Sequence, residues 1–251
     1  MKRLIAVSAV LVSLAAGAYV LPGGSILRRM VAAREEKHLS AFRVEGSVIF
    51  SSTAVPEAGA ALNVTSDRPE LQGDGVLSVK IPGRCRFDAT SPESSNKAAS
   101  VLASGRKRVE GKEVAAISVL VTQVCAILAQ DSGSVQETRL AQEAYLQGLG
   151  VNTKLTSLAR FSGEVAFVLG DPAEGKPQFW VYKDAFRPAR LRYADPAGTA
   201  WDVRFVDYAS PATGDWMPRT VEVWRAGQRV LRFTALKADN RSAVSDKLFT
   251  P

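Results

Sequence analysis

The chain has 251 residues, of which 46% are apolar and 23% charged, and this balance excludes a wholly disordered or fibrous protein. Its length allows one large domain or two small ones. The formal net charge is +7, but there is no dense run of lysine and arginine of the kind that tracks nucleic-acid phosphates. The charge therefore favours anionic lipid head groups or an acidic partner, although a surface that is merely soluble explains it as well.

The first 18 residues have the pattern of a secretory signal peptide. Lys2 and Arg3 precede an apolar stretch from Leu4 to Ala15, and Ala16-Gly17-Ala18 supplies the small residues of a cleavage site. We expect cleavage after Ala18 and one mature domain over residues 19–251. The alternative is an uncleaved anchor, because the uncharged run continues to Ile26 and is long enough to cross a bilayer. In both cases the rest of the chain would lie outside the cytoplasm.

The first part of the mature domain reads as one helix followed by strands. Apolar spacing predicts a helix over Ser25–Leu39. Four strands are predicted after it, at Phe42–Phe50, Ala60–Thr65, Gly75–Ile81 and Arg84–Ala89. The small, polar residues 91–100 are expected to form a loop. A hairpin within Val101–Val114 would turn near Ser104-Gly105 or Glu110-Gly111.

Two further helices are predicted in the middle of the chain. Ala115–Ala129 is strongly apolar and free of glycine and proline, which favours a buried helix, although its β-branched residues leave a strand possible. Ser134 and Glu137 then have the spacing of a capping box, which predicts a second helix ending near Gly148.

From Ser157 onward the pattern is almost entirely that of strands. Short turn sequences such as DPAG and SPATGD separate the strands, so that we expect an antiparallel meander. The predicted strands are Arg160–Leu169, Pro177–Lys183, Ala189–Ala194, Thr199–Tyr208, Arg219–Arg225 and Arg229–Lys237.

Cys85 and Cys125 are the two cysteines of the chain. An even number of cysteines in an exported protein favours one disulfide, which would join the strand at Arg84–Ala89 to the helix at Ala115–Ala129. Two buried free thiols are the alternative.

Residues with catalytic chemistry are few. His38 is the single histidine and stands late in a charged helix, where a surface residue is the ordinary interpretation. No G-x-S-x-G, C-x-x-C, H-E-x-x-H or phosphate-binding glycine loop is present in the sequence. We therefore expect neither a metal site nor a cofactor, and a protein that is not an enzyme.

Alternation along the meander divides its side chains between two faces. We name one the apolar face: Leu191, Tyr193, Trp201, Val203, Phe205, Val221, Val223, Leu231 and Phe233. We name the other the arginine face: Arg190, Arg192, Asp202, Arg204, Glu222 and Arg232. An ordinary sheet with one buried and one wet side explains this alternation fully. If about three helices cover the sheet incompletely, an apolar cavity remains, and it would suit an acyl chain because burying each CH₂ contributes about 0.8 kcal/mol.

Several segments of the chain resemble the LolA/LolB-like superfamily of periplasmic lipoprotein carriers. The resemblance depends on a proline turn at Pro188–Arg190 and on strand motifs at Val203–Tyr208, Pro218–Val223 and Asp246–Pro251. The signal peptide, the opening helix and PGRCRF at Pro82–Phe87 add to it.

The resemblance implies an α+β fold in which a curved antiparallel sheet of about 10–11 strands forms an unclosed β-barrel beneath about three helices. It also implies a periplasmic protein that binds acyl chains of lipoproteins or other lipids and moves them between envelope membranes. The apolar face would then be the cavity wall. Membrane transport proteins are possible partners, nucleic acid is not, and we expect a monomer. The alternative is an envelope-stress sensor or scaffold on the same fold, whose arginine face contacts an acidic protein.

Overall fold

Twelve strands form one antiparallel sheet in the part of the chain described by this computed structural model, residues 20–65 and 67–250. The strands are β1 (Ala41–Ser51), β2 (Glu70–Lys80), β3 (Arg84–Ser91), β4 (Ser94–Ala103), β5 (Arg106–Glu110), β6 (Thr156–Phe161), β7 (Glu164–Gly170), β8 (Gln178–Tyr182), β9 (Pro188–Ala194), β10 (Ala200–Val206), β11 (Thr220–Arg225) and β12 (Gln228–Asp239). The helices in the same residues are α1 (Gly23–Glu35), α2 (Ala54–Leu62), α3 (Ala115–Leu128) and α4 (Val135–Gly148), with a 3₁₀ turn at Asp246–Leu248. The predicted signal peptide lies outside the described residues.

The order of the strands leaves the sheet open. It runs β5-β4-β3-β2-β1-β12-β11-β10-β9-β8-β7-β6, so that β5 and β6 are its two edges. The seven strands from β6 to β12 follow one another in the sheet as they do in the chain, which is the predicted meander. The predicted α+β class and unclosed antiparallel sheet are confirmed, with twelve strands and four α-helices in the described residues.

The strand predicted at Ala60–Thr65 is wrong, because these residues belong to the end of α2 and the turn after it. Helix α2 has the sequence AVPEAGAAL and is rich in alanine, which has the highest helix propensity. Asn63 ends the helix in the left-handed conformation at φ 53°, a position that asparagine tolerates well. The short apolar run ALNV resembled a strand only when it was separated from these neighbours.

Two other boundaries also differ from the prediction. Residues 91–100 were expected to be a loop, but most of them form β4, which pairs with both β3 and β5 and buries Ala98 and Ala99. The single strand predicted at Arg160–Leu169 is a hairpin of β6 and β7. Its turn is Ser162-Gly163, with φ of 49° and 85°, and two positive values of φ are typical of a tight two-residue hairpin turn.

The core lies on the side of the sheet that α2 and α3 cover. Helix α3 packs against β3 and β4 and also against β11 and β12, so that it spans both parts of the open sheet. Phe87 and Phe233 meet edge to face beneath it, with ring centroids 5.1 Å apart. The predicted disulfide is confirmed, since Cys85 of β3 is bonded to Cys125 of α3 with a Cα–Cα distance of 5.7 Å.

Within the described residues, none of the helices has both the length and the apolar character that crossing a membrane requires.

Candidate functional site

The apolar face has the register that the alternation predicted. Trp201 pairs with Tyr193, Val203 with Leu191 and Val223, and Val221 with Phe205 and Phe233. Eight of the nine residues are buried and Tyr193 is partly buried. They share one hydrophobic cluster with α3, so that in this structure they are packed core. Their role in binding a ligand stays a prediction.

Three sets of contacts hold α3 over the apolar face. Near its middle, the Gln123 amide donates to the Tyr193 hydroxyl at 3.0 Å and accepts from the Tyr145 hydroxyl of α4 at 2.7 Å. At its beginning, the Ala115 N–H donates to the Glu57 carboxylate of α2 at 2.9 Å. Near its end, the disulfide fixes Cys125. Burial raises the pKa of Tyr193 to about 12.

A cleft of about 170 Å³ opens beside the C-terminal end of α3. We name it the α1 cleft, because α1 forms one wall, and α3, α4 and the loops β8–β9 and β10–β11 form the others. Its apolar lining comprises Met30, Val31, Ile127, Leu128, Phe186 and Trp216, with the Tyr208 ring beside them. Aliphatic side chains therefore come from the helices and aromatic ones from the loops.

Left-handed residues stand at or next to two of the aromatic side chains. Phe186 has φ 48°, a region that bulky side chains rarely adopt, and Asp207, just before Tyr208, has φ 62°, which aspartate adopts more readily. The Phe186 ring stacks on Phe167 with centroids 5.8 Å apart. The Tyr208 hydroxyl donates to the Pro188 carbonyl at 3.0 Å, and burial raises its pKa. Left-handed residues of this kind persist where the surroundings hold them, and they are frequent at binding sites.

Charged groups line one side of the α1 cleft. Asp215 accepts from Lys37 at 2.6 Å and from Arg187 at 3.5 Å, and the hydrogen bond from Lys37 holds its pKa below the usual value. Arg34 donates to the Gln130 carbonyl, and burial lowers the pKa of its guanidinium. Gln142, from α4, donates to the Ile127 carbonyl at 3.2 Å. The lining is thus apolar with a polar, net basic margin.

The arginine face lies on the predicted side of the sheet, but it is more ordered than an ordinary wet surface. Asp202 accepts two hydrogen bonds from Arg190, at 2.8 and 2.6 Å, and two from Arg204, at 3.1 and 2.9 Å. Burial raises the pKa of Asp202, but these hydrogen bonds outweigh burial and the net shift is downward. Arg204 also lies 3.8 Å above the Trp224 ring. Most charges on this face are therefore paired with one another.

The remaining candidates from the sequence are not brought into the α1 cleft. His38 is exposed and follows α1 in a left-handed turn with φ 48°. Among the residues that the structure describes, no group of histidine, cysteine, aspartate and glutamate has metal-binding geometry. Sequence reasoning missed the α1 cleft itself. The turn AFRP that supplies Phe186 was recognised only as a break between strands.

No protein-family model and no curated protein sequence matches the chain. Among solved structures, it is similar to a LolA superfamily protein from Nitrosomonas europaea, at 16% identity and a TM-score of 0.49, over 92% of this chain and 99% of that one. It is also similar to a DUF1329 family protein from Desulfovibrio piger, at 12% identity and a TM-score of 0.48, over 92% of this chain and 98% of that one. A third similar structure is MucB, at 11% identity and a TM-score of 0.32, over 91% of this chain and 62% of that one.

The first of these proteins belongs to the superfamily that the sequence resembles.

Proposed function

We propose that the protein is a non-enzymatic periplasmic binder of the acyl chains of lipids or lipoproteins and carries them between the membranes of the envelope. The α1 cleft is the observation that supports this proposal. Its aliphatic and aromatic lining favours a hydrocarbon ligand, because each buried CH₂ contributes about 0.8 kcal/mol. Its polar groups stand at one side, where they would orient the end of such a ligand.

The size of the cleft sets a condition on this proposal. At about 170 Å³ it is smaller than the roughly 300–1,000 Å³ typical of ligand pockets. A whole acyl chain therefore requires a wall to move. Helix α3 is fixed by its disulfide and by Glu57 and Gln123, whereas α1 packs mainly on α4. We expect α1 to shift and the cleft to widen on the side of α1.

A fluorescent fatty-acid probe tests the proposal directly. The protein should take up the probe saturably, and Ala33→Trp should weaken uptake because Ala33 lines the cleft and the indole would fill it. Ala32→Trp is the matched control, since Ala32 is also partly buried in α1 but does not line this cleft. Absence of saturable uptake by the unaltered protein would refute the proposal. Equal loss in both variants would mean that the effect is not specific to the cleft.

The apolar face needs its own experiment. If it contacts the acyl chain, a charged residue in place of Trp201 or Phe205 should abolish uptake in a variant that still unfolds cooperatively. Trp201 is the better choice because it is 6% exposed, whereas Phe205 is fully buried and its replacement threatens the fold. Uptake that survives in a folded Trp201→Arg variant would limit the site to the α1 cleft.

The alternative function, binding of an acidic protein partner, has one observation in its favour. Arg192 lies on the arginine face and forms no ion pair with any described residue, whereas Arg190 and Arg204 are both bonded to Asp202. If the protein is a sensor or scaffold, Arg192→Glu should remove a partner captured from envelope extract while Arg106→Glu, on the β5 edge, should not. Capture that neither change affects would count against this alternative.

A further inference from the structure

Two polar side chains of the α1 cleft, the buried Gln142 and the partly buried Arg34, carry groups that have no partner among the described residues. Arg34, on α1, and Gln142, on α4, both line the cleft and both donate to carbonyls at the C-terminal end of α3. A buried polar atom without a partner is costly, so the Gln142 oxygen indicates that something else completes it. Arg34 is only partly buried, and its unused N–H groups are available to a ligand.

Arg34 lacks a counter-ion. A guanidinium has five N–H donors, and its one hydrogen bond to a described residue is with the Gln130 carbonyl. Asp131 and Glu35 are near enough to favour its charge, but neither forms an ion pair with it in the described residues. The carboxylate of Asp215, in the same lining, is already bonded to Lys37 and Arg187. Glu36, the other carboxylate of the lining, forms no ion pair with Arg34 among the described residues. Arg34 therefore remains available to an anion.

Gln142 lacks a donor for its carbonyl oxygen. The side chain is 1% exposed, and its Nε2 donates to the Ile127 carbonyl at 3.2 Å. That bond fixes the amide orientation, since a flipped amide would place two oxygens together. Oε1 is then left without a hydrogen-bond partner in the described residues. Because this oxygen is buried, a hydroxyl or amide N–H of a ligand can donate to it only when the cleft widens on the side of α1.

We infer that the α1 cleft recognises an amphiphile whose anionic headgroup pairs with Arg34 and whose adjacent hydroxyl or amide donates to Gln142. This inference rests on the proposed function and makes it more specific. A single-chain phospholipid with a free glycerol hydroxyl has this chemistry, since its phosphate matches the planar guanidinium and its chain matches the apolar lining. A fatty acid supplies the anion without the donor, and a monoacylglycerol supplies the donor without the anion.

Calorimetric titration with three short, monomeric lipids of equal chain length tests the inference. The lipids are lysophosphatidic acid, the fatty acid and the monoacylglycerol. The protein should bind lysophosphatidic acid about tenfold or more tightly than the monoacylglycerol, as expected for one charge-assisted contact in a partly buried site. Arg34→Gln should abolish that preference, so that lysophosphatidic acid binds no more tightly than the monoacylglycerol. Gln142→Leu should weaken the binding of lysophosphatidic acid more than the binding of the fatty acid.

Arg106→Gln is the matched control, because Arg106 is exposed on β5 and is not part of the lining. Thermal unfolding of each variant checks that the fold is retained, and Arg34→Lys keeps the charge if Arg34→Gln is unstable. Inorganic phosphate at millimolar concentration should not displace the lipid, and displacement would show a simple anion site instead.

Two outcomes separate this inference from the proposed function. Equal affinity for the anionic and neutral lipids, or an anion preference that survives Arg34→Gln, overturns the headgroup inference and leaves acyl-chain binding intact. Failure of all three lipids to bind overturns both.

Discussion

Removal of the disulfide should produce a large loss of stability whose size follows from the length of the loop that it closes. Cys85 and Cys125 are separated by 40 residues in sequence. On the chain-entropy model, releasing a loop of that length gives the unfolded state an advantage of about 4 kcal/mol. Both cysteines are buried, at 0% and 2% exposure, so alanine is the better replacement because serine would bury two hydroxyls.

Urea denaturation at 25 °C measures the effect. The Cys85→Ala/Cys125→Ala protein should unfold at a lower urea concentration, with a free energy of unfolding reduced by about 4 kcal/mol. Its midpoint of thermal unfolding should fall by about 8–16 °C for a chain of this size. The m value should rise, because an unfolded chain without the cross-link exposes more surface.

Reduction of the unaltered protein provides the control. Dithiothreitol should lower its stability to that of the double alanine variant and should leave the variant unaffected. A free energy change below about 1 kcal/mol with no change in m would refute the loop-closure reasoning. Two titratable thiols in the folded, unreduced protein would refute the disulfide itself.

Three further changes have effects set by local geometry. Asp202→Asn should destabilise by about 2 kcal/mol through the loss of its bonds from Arg190 and Arg204. Because the pKa of Asp202 is lowered in the folded state, the two proteins should differ fully in free energy of unfolding at pH 6, and this difference should shrink as the pH falls below about 4. Urea denaturation at a series of pH values measures it. Gly46→Ala should destabilise by about 1–3 kcal/mol, since its Cβ would lie 2.1 Å from the Thr234 carbonyl oxygen, whereas Gly148→Ala, which meets nothing within 4 Å, should not. Ser134→Ala should cost about 1 kcal/mol in urea denaturation by removing the acceptor for the Glu137 N–H at 3.2 Å.

The C-terminal half of the fold could be predicted because its determinants are local. In β10, Trp201, Val203 and Phe205 alternate with Asp202 and Arg204, and this period of two specifies both a strand and its buried side. The turn DPAG then sets the hairpin with β9, in which Asp195 accepts from the Thr199 N–H at 2.9 Å. The N-terminal half was harder, because α2 is short and its end resembles a strand.

The α1 cleft could not be predicted because no single stretch of sequence encodes it. Arg34, Ile127, Gln142, Phe186 and Trp216 come from five separate segments that only the fold brings together. Phe186 depends on a left-handed backbone conformation that no glycine or asparagine marks in the sequence. The missing partners of Arg34 and Gln142 are likewise visible only when their neighbours are known.

The alternation along the meander specifies that a face is buried and leaves open what buries it. A helix of this chain and the hydrocarbon chain of a ligand meet the same requirement, since the hydrophobic effect is non-directional. Here α3 covers the apolar face and is held in place by three contacts. Its first N–H donates to Glu57 of α2, Gln123 donates to Tyr193, and Cys125 forms the disulfide with β3. On the proposed function, a ligand therefore meets first the space that α3 leaves at its C-terminal end. Arg34 and Gln142 stand at that end, so we expect the polar groups of the α1 cleft, and not the apolar face, to select among ligands.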